Sequence, residues 1–203
     1  MAGVNREINK SDELKANSQE ELFILSITKN SNYGYIDNLL RMFSKSEDKI
    51  SVLEKMLDGS SFSGFNRDLQ KNIYSLLAKY HDLYAWEKTC FNYKLPNSEK
   101  LEIKEEHYKK TIEFYTKAGY EDGNQYEIKR LVGEYTKLAN VYEEMGTFRY
   151  NDAIRCLKKA DELSIKCGIK VLNPKVRKLT EEEKKREIEK SKQPHNTPYQ
   201  TYP

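Results

Sequence analysis

Apolar residues recur along this chain at intervals of three and four, and those intervals predict helices from one end to the other. Leu22, Ile24, Leu25 and Ile27 make a short apolar run that a Ser18–Glu21 capping box would open and Asn30-Ser31-Asn32 would break. Tyr35, Ile36, Leu39, Leu40 and Phe43 repeat at helical spacing, and Ser46 with Lys49 to Leu57 gives another short helix stopping before Gly59. Gly59 to Gly64 is a loop by composition. From Asn66 the elements lengthen. Leu69, Ile73, Leu76, Leu77, Tyr80, Leu83, Tyr84, Trp86 and Cys90 predict one long helix, ended by Pro96. Ser98 restarts a helix that carries Leu101, Tyr108, Ile112, Tyr115 and Ala118 and stops at Gly119. After Asp122-Gly123-Asn124, the stripe Ile128, Leu131, Val132, Tyr135, Leu138, Ala139, Tyr142, Met145 closes at Gly146. A last helix carries Ala153, Ile154, Leu157, Ala160 and Leu163, with Gly168 as its stop. No segment alternates with period two, so the expected fold is all-α.

This pattern divides the chain into three zones. Residues 1–17 are expected to be disordered, 18–172 to form the helical domain, and 173–203 to be a charged, largely disordered tail beginning at Asn173-Pro174. Within the tail, Thr180 to Lys192 holds helix formers and a Thr180–Glu183 capping box but almost nothing apolar, so packing cannot hold it.

The stretch 131–167 has a further regularity. Tyr135, Leu138, Ala139 and Tyr142 occupy one helix, Gly146 turns the chain, and Tyr150, Ala153, Leu157 and Ala160 follow. This resembles a tetratricopeptide repeat (TPR), in which small residues let two antiparallel helices approach while Tyr and Leu fill the spaces between. The sequence GTFRYNDA is two residues longer at the turn than the usual form of that family. A degenerate copy spans 66–118: Ile73, Leu76 and Tyr80 are similar to the first-helix pattern, and Tyr108, Thr111, Tyr115 and Ala118 to the second. The resemblance implies antiparallel helix pairs stacked as an α-α superhelix, preceded by short N-terminal helices. It also implies a concave groove lined by first helices, where Thr136, Lys137, Asn140 and Glu143 would be the protein-binding residues. Asn140 falls where some members of the family hold a peptide carboxylate, but the lysine of that clamp is replaced by Thr136, so no such clamp is expected.

Composition narrows the function without naming it. Lys and Arg number 35 against 32 Asp and Glu, a net charge of +3, and mean hydropathy is −0.87. No apolar run reaches the ~18–20 residues that span a bilayer, so no membrane insertion is expected. Residues 1–173 carry 27 basic and 27 acidic side chains, leaving the whole excess in the tail. Nucleic-acid binding is therefore disfavoured, because phosphate neutralisation needs basic charge on a folded face. The polar N-terminus has no apolar signal region, and three scattered cysteines (Cys90, Cys156, Cys167) suit a reducing cytosol. All three are read as inert thiols near apolar helix faces.

Catalytic chemistry finds no foothold in the motifs. His81, His107 and His195 have no metal-ligand spacing and read as solvated or hydrogen-bonded helix histidines. Glu105-Glu106 and Glu143-Glu144 are sequence neighbours that normally face solvent. No phosphate-cradling or nucleophile motif occurs. No cofactor, metal or small-molecule substrate is expected, and the chain reads as a non-enzyme. Its 15 tyrosines suit both helix packing and interface contacts. The expected function is a protein-binding adaptor, with a protein or peptide partner. Two alternatives stay open: a self-associating structural or regulatory subunit, and an enzyme whose site would gather His81, His107 and carboxylates in one deep pocket. The tail, a Glu-rich block with a short Tyr-containing end, is similar to C-terminal export signals of bacterial effectors of type IV secretion. A docking peptide at Pro198-Tyr199 or Tyr202-Pro203, or a solvated tail without a role, is the other reading.

Overall fold

The computed structural model describes residues 19–27, 30, 32–58 and 62–168, and among these the chain is helical with no strand. Seven α-helices follow in order: α1 Gln19–Ile27, α2 Tyr33–Leu39, α3 Ser46–Asp58, α4 Arg67–Cys90, α5 Asn97–Lys117, α6 Gln125–Met145 and α7 Tyr150–Lys166. The Ser18–Glu21 capping box, the disorder expected of 1–17, the boundary at 172, the 180–192 helix and His195 lie outside the described residues.

Asparagines start three of these helices. Asn32 accepts from the amides of Gly34 and Tyr35, and Asn66 from Leu69 at 2.8 Å. Asn124 and Glu127 form a reciprocal capping box at the start of α6. Glycines end α5 and α6: Gly119 (φ 80°) and Gly146 (φ 103°) hold backbone conformations that side chains disfavour. The long helix α4 ends at Cys90, the last position of its predicted stripe, and Pro96 precedes the first residue of α5, where its missing N–H costs nothing. Cys90 is exposed, which corrects its expected place near an apolar face; Cys156 is buried and Cys167 half-buried.

Two antiparallel hairpins, α4–α5 and α6–α7, form the body, and α5 packs against α6 to join them. Their crossings are built around small residues. The Thr111 hydroxyl of α5 donates to the His107 carbonyl of its own helix at 2.8 Å and lies 3.3 Å from the Ala78 carbonyl of α4, a cross-helix contact that needs close backbone approach. In α6–α7, Ala139 and Ala153 are fully buried and Ala160 nearly so. Around them Leu76, Leu77, Leu131 and Leu157 are almost wholly enclosed, each contributing about 2 kcal/mol of apolar burial. Of the residues assigned to repeat packing, Leu138, Ala139, Tyr142, Ala153, Leu157 and Ala160 are buried, while Tyr135, Gly146 and Tyr150 are half-buried.

Ion pairs between the hairpins show their relative direction. Lys71 and Asp82 of α4 meet Glu127 and Lys137 of α6, at 2.7 and 2.6 Å. Both pairs advance the same way along the two helices, so α4 and α6 run parallel. Glu105 pairs with Arg149 at one end of α5 and α7, and Lys159 and Lys166 meet Glu121 and Asp122 beyond the other. The second helices are thus parallel too. The N-terminal helices cover α4 from the far side: Asp37 of α2 accepts from Lys79 and Tyr80, and Ser46 of α3 donates to Glu87.

Candidate functional site

Parallel first helices leave a seam between α4 and α6, and that seam is where polar side chains converge. At its start, two adjoining clefts of about 300 and 590 Å3 share Tyr33, Lys71, Asn72 and Glu127. Tyr120, Tyr126 and Arg130 complete the smaller one. Arg130 reaches the Tyr115 hydroxyl at 3.3 Å and lies 5.0 Å over the Tyr126 ring, so an exposed aromatic is backed by a fixed cation. Burial, with the nearby Asp37 carboxylate, pushes the Tyr33 hydroxyl up to about 12. It therefore remains a hydrogen-bond donor at any ordinary pH.

Further along, the seam closes on a charged cluster. Lys137 donates to Asp82 at 2.6 Å and to Glu134 at 2.9 Å, with its ammonium 5.5 Å from the Tyr108 ring. Glu134 is buried, and its Oε2 has no hydrogen-bond partner. Burial, then the neighbouring Asp82 carboxylate, pushes Glu134 up to about 7, more than Lys137 can offset. Lys137 itself is pushed up; burial opposes this, but the two carboxylates outweigh it. One ammonium shared by two carboxylates keeps its own charge while leaving the buried acid undercompensated.

The four groove residues expected from sequence fall on two faces of α6. Lys137 points into the seam and is held by Asp82 and Glu134. Thr136, Asn140 and Glu143 follow the outer stripe that also carries exposed Lys129 and Glu144, and all three are half-buried. The Thr136 hydroxyl donates to the Val132 carbonyl within its own helix. None of the four lines the clefts at the start of the seam.

Two histidines that only the enzyme alternative would gather do come together, away from the seam. His81 of α4 and His107 of α5 meet with Nδ1 atoms 2.9 Å apart, so one ring donates and the other accepts. His81 is 1% exposed and stacks on Phe114, and Glu54 of α3 lies 3.6 Å from its Nε2. Burial, followed by the charge of His107, pushes His81 down to about 3. His107 is also pushed down, chiefly by burial. Of the two states expected of a helix histidine, solvated or hydrogen-bonded, His81 is in the second, as a core residue. The periodicity held a signal, since His81 follows Ile73, Leu77 and Tyr80 on the buried side of α4. The pair lines none of the clefts described, and among the described residues no three His, Cys, Asp or Glu side chains are grouped to hold a metal. Glu105, expected in solvent, is mostly enclosed between Arg149 and Lys109.

No helix among the described residues is long and apolar enough to cross a membrane. Comparison of the chain with protein-family models, with curated proteins and with solved structures finds no match.

Proposed function

We propose that this chain is a non-enzymatic interaction module of stacked, TPR-like helical hairpins that receives an extended protein segment along the α4/α6 seam. One observation supports the reading above others: the ion pairs Lys71–Glu127 and Asp82–Lys137 set two first helices parallel, with open clefts at one end. Hairpins repeated in one direction stack their first helices side by side and leave such a surface. Tyr33, Tyr120 and Tyr126 offer apolar area with polar tips, and Asn72 and Arg130 stand among them. Because α4 and α6 already hold this wall, the module spends little ordering entropy on binding. On this reading Asn140 and Glu143 extend the contact surface along the outer stripe of α6. The module works in a cytosol; an exported-effector role rests on the tail alone.

Selection of random peptides of about twelve residues displayed against the full chain tests the proposal. Selected peptides are expected to lose about tenfold in affinity on Tyr126→Ala or Arg130→Glu, and to keep it on Arg155→Glu, an exposed site on α7. Enrichment of no peptide, or binding indifferent to Tyr126 and Arg130, overturns it. Concentration-dependent association of the chain in place of peptide binding would favour the self-associating subunit.

A further inference from the structure

The turn between α6 and α7 is where the sequence departs from the repeat form, being two residues too long. In the structure the added length is a 3-10 turn, Thr147–Arg149. Gly146 reverses the chain, and Phe148 is left 79% exposed. Arg149 then folds back, pairing with Glu105 of α5 and with Asp152 at 3.2 Å, its guanidinium 4.5 Å over the Tyr142 ring. The turn is thereby tied to α5, and a cleft of about 540 Å3 opens between the start of α5 and the end of α6.

The lining of this cleft is specific in character. Leu101, Met145 and Phe148 give it an apolar floor, and Glu102 and Glu144 stand exposed on its rim. Glu105 is neutralised by Arg149 and Lys109, whereas Glu102 and Glu144 pair with no cation among the described residues. At the mouth, Pro96 puts no side-chain acceptor on the first amides of α5, at Asn97 and Ser98. The loop entering α5 adds two more aromatics at the same end, Phe91 (63% exposed) and Tyr93 (87%).

We infer that this cleft docks an extended peptide segment in which an apolar side chain is flanked by lysine or arginine. Charge complementarity selects the occupant. An apolar side chain covers Leu101, Met145 and Phe148, and cations on either side meet the two unpaired carboxylates. An acidic segment would be repelled, and a polar one would leave the floor uncovered. The free amides at Asn97 and Ser98 then donate to a carbonyl of the bound segment. The cleft shares no lining residue with the α4/α6 seam and stands whether or not that seam binds a partner.

The test is a titration of the isotope-labelled full chain, followed by NMR, with the peptide acetyl-Gly-Lys-Phe-Lys-Gly-amide. Chemical shifts are expected to move at Leu101, Met145 and Phe148, with an affinity that falls as salt is added. Two matched peptides, with glutamates for lysines or glycine for phenylalanine, are expected not to bind. The exposed double variant Glu102→Gln/Glu144→Gln should weaken binding about fivefold, and Phe148→Ala about tenfold. Equal binding of the glutamate peptide, shifts confined to Tyr33, Tyr126 and Arg130, or no shifts at millimolar peptide would overturn the inference. So would self-association of the chain through Phe148.

Discussion

Glu134→Gln removes a partner from a buried ion pair, and the structure predicts that it stabilises the protein above neutral pH. Glu134 has a folded-state pKa of about 7 against an ordinary 4.5. The folded state therefore holds this proton more tightly than the unfolded one. Its contribution is neutral below pH 4.5, and a penalty grows as pH rises through 4.5 toward 7, where it is complete. At ~1.4 kcal/mol per pKa unit the full penalty is on the order of 3 kcal/mol. Glutamine has the shape of the protonated acid without its charge, and Lys137 keeps Asp82 at 2.6 Å. Its amide leaves a buried polar atom to satisfy, so the net gain at pH 8 is expected between ~1 and ~3 kcal/mol, or roughly 3–10 °C in Tm. Thermal unfolding of both proteins, from pH 5 to 8 at low salt, measures it. The variant should melt higher at pH 8 and together with the wild type near pH 5. A lower Tm at pH 8 would show that the Lys137–Glu134 pair is a net stabiliser and refute the reasoning.

Ala153→Leu forces a branched side chain into the fully buried α6–α7 crossing and should cost ~2–3 kcal/mol; an unchanged Tm would contradict that crossing. His81, held neutral by burial down to about pH 3, gives stability that is fully present above its unfolded pKa near 6.5. That stability is lost as pH falls from 6.5 toward 3. With Glu134→Gln in place to remove the opposing titration, the acid limb should steepen below pH 6.5, and adding His81→Phe should flatten it. Gly146→Ala places a side chain at φ 103° and should cost ~1–2 kcal/mol, read from urea midpoints; a neutral effect would contradict the turn geometry.

Much of the fold was legible because it rests on local signals. The stripes Leu69 to Tyr80 and Ile128 to Met145 announce buried faces, and Gly119, Asn124 and Gly146 mark ends by backbone chemistry that needs no tertiary partner. The end of α4 was legible too, as the last position of its stripe, Cys90, ahead of a proline that bars the helix from running on. Contacts that join distant segments were hidden. Nothing local says that His81 meets His107, that Asp82 takes Lys137 on the seam face of α6, or that Arg149 folds back on Glu105. Each depends on how one hairpin is laid against its neighbour. The candidate site shared that fate: its helix was readable from Ile128 to Met145, yet the clefts lie near its start, where Tyr33 from a separate helix completes them.

The seam depends on the first helices of the two hairpins lying parallel and side by side. Zero-length carbodiimide coupling, which joins lysines to carboxylates already in contact, tests it on the full chain by mass spectrometry of the linked peptides. Links between Lys71 and Glu127 and between Asp82 and Lys137 are expected, at ion-pair separations of 2.7 and 2.6 Å. Links joining Lys137 to Asp68 with none at those two sites would set α4 and α6 antiparallel and contradict the seam and the groove built on it.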